Sequence, residues 1–149
     1  QHALLLFTSA DATSPHFLGS TITACDKGRR WDLALLVFAL AAARKDAVST
    51  LCYNATITAC EKGMQWDLAL KLFTELKKSG LQLTAISYTS AISACDKGFA
   101  WQLAVANLEE AQSQSITTGV IGFSATLSAV GKGQQWQRSL DLLHIMIAR

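Results

Sequence analysis

Four lysines, Lys27, Lys62, Lys97 and Lys132, stand 35 residues apart, and a glycine follows each. A row of ammonium groups at one fixed interval can meet successive phosphates of an extended polyanion. Each such contact that displaces a counterion adds roughly 0.7 to the log-log salt slope of a single strand. The same lysines suit the end of a helix, where a cation meets the negative pole of the dipole. Asp26, Glu61 and Asp96 stand directly before three of the lysines and oppose an anionic partner.

Other chemistry is sparse. Cys25, Cys60 and Cys95 share the 35-residue interval, but no Cys-x-x-Cys pair and no Cys/His cluster at zinc spacing occurs. They read as small buried side chains in a reducing compartment. His2, His16 and His144 lack a matching nucleophile or carboxylate, and the adjacent Glu109 and Glu110 face different directions on a helix. Asn54-Ala55-Thr56 has the form of a glycosylation site but falls inside a predicted helix. The expectation is a chain with no catalytic residues, no metal, no cofactor and no small-molecule substrate.

The elements that must carry the lysine row follow from the same interval. Trp31, Trp66, Trp101 and Trp136 keep it, as do Gly28, Gly63, Gly98 and Gly133 and Ala24, Ala59, Ala94 and Ala129. Within one unit, Tyr53, Ile57 and Cys60 lie at i, i+4 and i+7, the face of a first helix. Gly63-Met64-Gln65 interrupts the pattern, and Trp66, Ala69, Leu70 and Phe73 mark the stripe of a second helix. Asp67 suits the first turn of that helix, and Lys77, Lys78 and Gly80 supply its charge and its left-handed stop. The indole of each unit is expected to fill the wedge between helices and between neighbours.

Two antiparallel helices cannot bury both faces alone, so successive units stack. The predicted fold is all-α, a right-handed superhelical solenoid of 35-residue helix-turn-helix repeats whose first helices line one side. Residues 1–14 are read as the worn end of a preceding unit, 15–49, 50–84 and 85–119 as complete repeats, and 120–149 as an incomplete fourth. The opening Gln1-His2-Ala3 and the apolar ending suggest a piece of a longer protein, with no targeting segment to read. A composition that is 50% hydrophobic and 16% charged supports one continuous core, and the net charge of +2 decides little about partners. The longest nearly apolar run, Leu33 to Ala43, is about half of the roughly 20 residues a membrane helix requires, so no spanning segment is expected.

The columns also carry a family resemblance. None of the units has the tetratricopeptide pattern Trp-x-x-Leu-Gly-x-x-Tyr. The run from Tyr53 to Gly63, followed by Trp66-Asp67-Leu68-Ala69-Leu70-Lys71-Leu72-Phe73 and the stop Lys78-Ser79-Gly80-Leu81, resembles a pentatricopeptide repeat. The Ala-Cys-(Asp/Glu)-Lys-Gly signature is similar to that of organellar members, including those of algal plastids. The resemblance implies single-stranded RNA as partner, at roughly one base per repeat, and a chloroplast or mitochondrial setting in RNA processing, stability or translation. Two alternatives are a helical scaffold that binds a protein partner in the same groove, and the recognition arm of an RNA nuclease.

The resemblance also assigns roles. The fifth and last residues of each unit would read the base: Asn54 with Thr84, Thr89 with Gly119, Gly19 with Ser49, and Ser124 without a partner. Asn54 would favour a pyrimidine, and Thr89 or Ser124 a purine. The second residue of each unit, His16, Leu51, Ile86 or Ile121, would press on base faces, although core packing equally explains the aliphatic ones. The lysine column would meet phosphates. The closing pairs Val48-Ser49, Leu83-Thr84 and Thr118-Gly119 replace the usual Pro-Asp or Pro-Asn, which predicts loose base selectivity.

Overall fold

The computed structural model describes residues 15–43 and 48–148, so the reading of residues 1–14 lies outside the described residues. Among the described residues there are eight helices and no strand. They are α1 (Pro15–Lys27), α2 (Trp31–Ala43), α3 (Thr50–Lys62), α4 (Trp66–Lys78), α5 (Ala85–Lys97), α6 (Trp101–Ser113), α7 (Gly119–Lys132) and α8 (Trp136–Ile147). None of these described helices is long and apolar enough to cross a membrane. The chain divides into two compact units, one ending at Gln82 and the other starting at Leu83.

In the first unit α1 packs on both α2 and α3, and α3 packs on α4. Its core is drawn from Leu18 and Ile22 of α1, Val37 and Phe38 of α2, Ile57 and Cys60 of α3, and Leu72, Phe73 and Leu76 of α4. Phe38 meets Tyr53 edge-on with ring centroids 4.8 Å apart, the geometry favoured by the ring quadrupoles. In the second unit α5 packs on α6 and α7, and α7 on α8. Tyr88, Ile92, Leu108 and Val130 are fully enclosed there.

The stripe of α4 is turned from the one expected. Ala69, Leu72, Phe73 and Leu76 are buried, whereas Trp66 and Leu70 are not. The reason is visible at the equivalent tryptophan, Trp31. Its indole faces Gly63 in the following hairpin rather than its own: an ideal Cβ on Gly63 would lie 2.3 Å from Trp31 Cδ1. Trp101 stands in the same relation to Gly133, at 2.4 Å. Within each unit, therefore, Trp31 with Gly63 and Trp101 with Gly133 are two halves of one contact between successive repeats.

That contact also explains why the glycine is kept where its backbone does not demand it. Gly63 ends α3 with φ −78°, and the left-handed residue of the turn is the next one, Met64, at φ 60°. Arg29, Phe99 and Gln134 repeat this conformation. The turn closes by the N–H of Gln65 donating to the Cys60 carbonyl at 2.8 Å, a bond that occupies an otherwise orphaned helix-end acceptor. At the far end of α4 the stop is a true left-handed glycine, Gly80, at φ 75°.

All four cysteines are buried free thiols. Burial pushes Cys60 and Cys95 up to about 11 from their ordinary value near 9. The unfolded chain therefore loses these protons at lower pH than the folded one. Their contribution is fully present below pH 9 and is lost as pH rises through about 11. The melting temperature should fall across that alkaline window, and a flat profile there would contradict the enclosure of both thiols.

Candidate functional site

The first helices α3 and α7 each keep one stripe open. On α3 it runs Leu51, Ala55, Thr58, Lys62, at i, i+4, i+7 and i+11. On α7 the same positions hold Ile121, Ala125, Ser128 and Lys132. An aliphatic side chain stands at one end, small residues form the floor and a lysine closes the other end. Core packing would have buried the aliphatic positions, but Leu51, Ile86 and Ile121 are 55%, 60% and 68% exposed. The structure thus removes one of the two explanations open to them from sequence. The side chain of His16 lies outside the described residues.

In the first unit the stripe widens into a groove of about 340 Å³ lined by Gly19, Ser20, Thr23, Ala24, Lys27 and Leu51. Three residues named from the repeat register meet there: Gly19, Leu51 and Lys27. Gly19 is covered by Leu51, since an ideal Cβ on it would lie 3.1 Å from Leu51 Cδ2. A larger fifth residue would push that side chain away.

The remaining fifth residues differ in access. Asn54 is buried, Thr89 is partly open and Ser124 is exposed. The Thr89 hydroxyl donates to the Ala85 carbonyl at 2.9 Å, and that of Ser124 to the Ile121 carbonyl at 3.1 Å. Thr23 and Thr58 also turn their hydrogens onto their own helices, toward Gly19 and Asn54. A hydroxyl whose hydrogen is used inward offers its oxygen lone pairs outward.

The closing residues have structural work of their own. Ser49 caps α3 by accepting from the Cys52 N–H, and Thr84 forms a capping box with Ser87 at the start of α5. Ser and Thr are favoured at such positions because they satisfy free N–H groups of the first turn. Gly119 has no side chain to cap with and takes φ 63° at the start of α7. Thr118 is buried, with its Oγ1 2.4 Å from where a Cβ on Gly122 would sit.

The lysines are not equivalent. Lys62 Nζ donates to Asp26 Oδ2 at 2.8 Å, and Lys132 Nζ pairs with Asp96 Oδ1 at 2.9 Å. The acid before a lysine thus binds the lysine of the next repeat, 36 residues on, and not its own neighbour. Lys132 also lies 5.6 Å from the centre of the exposed Phe99 ring. Lys27 has no ion pair among the described residues and faces the groove. Sequence reasoning missed the pairing, although the acid and lysine columns, read one repeat apart, carry its signal.

Residues 48–97 match the model of the PPR repeat family. The fold matches a crystal structure of the pentatricopeptide repeat protein PPR10 from maize, with a TM-score of 0.70 at 23% identity. The match covers 86% of this chain and 18% of that one, so the chain spans about a fifth of the length of that protein. No curated protein matches it. The matched segment holds one whole repeat and the first helix of the next, and helical hairpins of the same register flank it. Residues 48–97 are thus a pentatricopeptide repeat segment, in a chain whose fold is that of a pentatricopeptide repeat protein.

Proposed function

We propose that this chain binds single-stranded RNA along the open stripes of its first helices, with about one nucleotide to each repeat. The observation that carries this reading is the exposure of Leu51, Ile86 and Ile121 at the same repeat position. Aliphatic side chains held in water at a fixed interval suit the faces of unstacked bases. The small floor between them and the lysine leaves room for the sugar and base. Outward lone pairs on Thr89 and Ser124 suit donor groups on a base edge. The likeness of the Ala-Cys-(Asp/Glu)-Lys-Gly signature to organellar members supports a setting in the chloroplast or mitochondrion and a role in RNA processing, stability or translation.

A protein partner in the same groove is the second reading, favoured by the carboxylates already bound to Lys62 and Lys132. Titration of the chain with short single-stranded RNAs at two salt concentrations separates the two. RNA binding should weaken with salt, and Lys27→Ala should lower the log-log slope by roughly 0.7. Affinity indifferent to both salt and Lys27→Ala would remove the RNA reading.

A further inference from the structure

The ion pairs between repeats recur in the two units, at 2.8 Å to Asp26 Oδ2 and 2.9 Å to Asp96 Oδ1, Lys132 donating its hydrogen bond to the Asp96 backbone carbonyl at 3.3 Å. Lys62 meets Asp26 in the first unit and Lys132 meets Asp96 in the second, each across 36 residues. In both, the acid is mostly enclosed, with side-chain exposures of 13% and 20%, while the lysines are 50% and 39% exposed. The carboxylate holds the ammonium from the protein side, and water reaches it from the other. An ion pair open to water in this way contributes little to stability. Its effect on an incoming anion is larger, because an ammonium already neutralised by a carboxylate offsets less phosphate charge and so frees fewer of the cations condensed on the strand.

Resting on the reading of the open stripes as an RNA site, we propose that Asp26 and Asp96 are a built-in brake on the lysine row. Each carboxylate takes the place of a backbone phosphate on the lysine of the following repeat. A strand gains the full charge of Lys62 or Lys132 only in competition with that carboxylate. Lys27, which has no such partner among the described residues, is the lysine available from the outset. The acid column therefore tunes how tightly the repeats hold RNA and how steeply that hold depends on salt. Asp26 and Asp96 are positioning residues, acting through the lysines and not by touching the strand.

The test is a salt titration of the intact chain with a short mixed-sequence single-stranded RNA, comparing the parent with Asp26→Asn, Asp96→Asn and the double variant. Each substitution should steepen the log-log slope by roughly 0.7, so that lowering salt fourfold strengthens binding by roughly 2.6-fold more per site. Adding Lys62→Gln to Asp26→Asn should cancel the gain at that site. Folded variants with an unchanged slope, or a gain that survives Lys62→Gln, overturn the brake. Circular dichroism establishes folding, and failure of both single variants to fold also overturns it, since the pairs would then be structural ties. Binding by the parent with an unchanged slope in the variants removes only the brake. Absence of binding by every form removes the RNA reading itself, and binding that appears only in the variants supports the brake.

Discussion

Gly63→Ala should lower the stability of the chain by about 2 kcal/mol, within the range seen when an extra carbon is forced into a packed contact. The added Cβ would stand 2.3 Å from Trp31 Cδ1, 2.5 Å from its Cγ and 3.0 Å from its Cβ. The collision is with the root of the side chain, so a small swing of the indole does not relieve it. Relief requires the first two hairpins to separate or Trp31 to adopt another rotamer, either of which opens the contact between repeats. Gly28→Ala is the matched control in the same column. Among the described residues its Cβ would find nothing nearer than the Ala24 carbonyl oxygen at 3.5 Å. There the change should be neutral or stabilising by about 0.5 kcal/mol, because alanine restricts the unfolded chain more than glycine does. Urea unfolding of the two variants checks the difference. Equal stabilities would mean that the glycine column serves the turn and not the tryptophan. Trp31→Leu placed in the Gly63→Ala background should recover part of the loss if the two residues act as one contact.

Ile121→Asp should weaken RNA binding by about tenfold, or about 1.4 kcal/mol, while leaving the fold intact. Ile121 is 68% exposed in the first turn of α7, so the substitution removes little packing. A carboxylate there also sits favourably near the positive pole of the helix. Lost binding would therefore not be lost folding, and thermal melts should agree with the parent. The effect on RNA is expected to be large because the carboxylate replaces a base-facing aliphatic surface with a charge that repels the strand. Ile86→Asp in the same unit should act alike, since Ile86 occupies the same repeat position and is also exposed. Undiminished affinity in both variants would place the RNA somewhere other than the open stripes.

Much of the architecture was legible in the columns. Trp31, Trp66, Trp101 and Trp136, with the glycine and lysine columns, set a register that places a helix on either side of each turn. Helical periodicity survives in one sequence because every buried face must repeat at the pitch of the helix. Which turn of the helix faced inward was less legible. Leu70 and Leu72 have the same apolar character, and only the neighbouring helix decides which one is buried. The same holds for the second repeat position, where Leu51, Ile86 and Ile121 look like core residues and stand in water.

The lysine row divides along the same line. Sequence alone determined that Lys27, Lys62, Lys97 and Lys132 share one position near the end of a first helix, because residue type and spacing are local properties of the chain. Tertiary structure decided what the ammonium groups meet. Asp26 and Lys62 are 36 residues apart and come within 2.8 Å only because successive first helices pack side by side. Trp31 and Gly63 are joined by the same stacking. Local pattern specifies a helix and its ends, whereas a contact between repeats depends on the packing angle and offset of two helices, which no single repeat encodes.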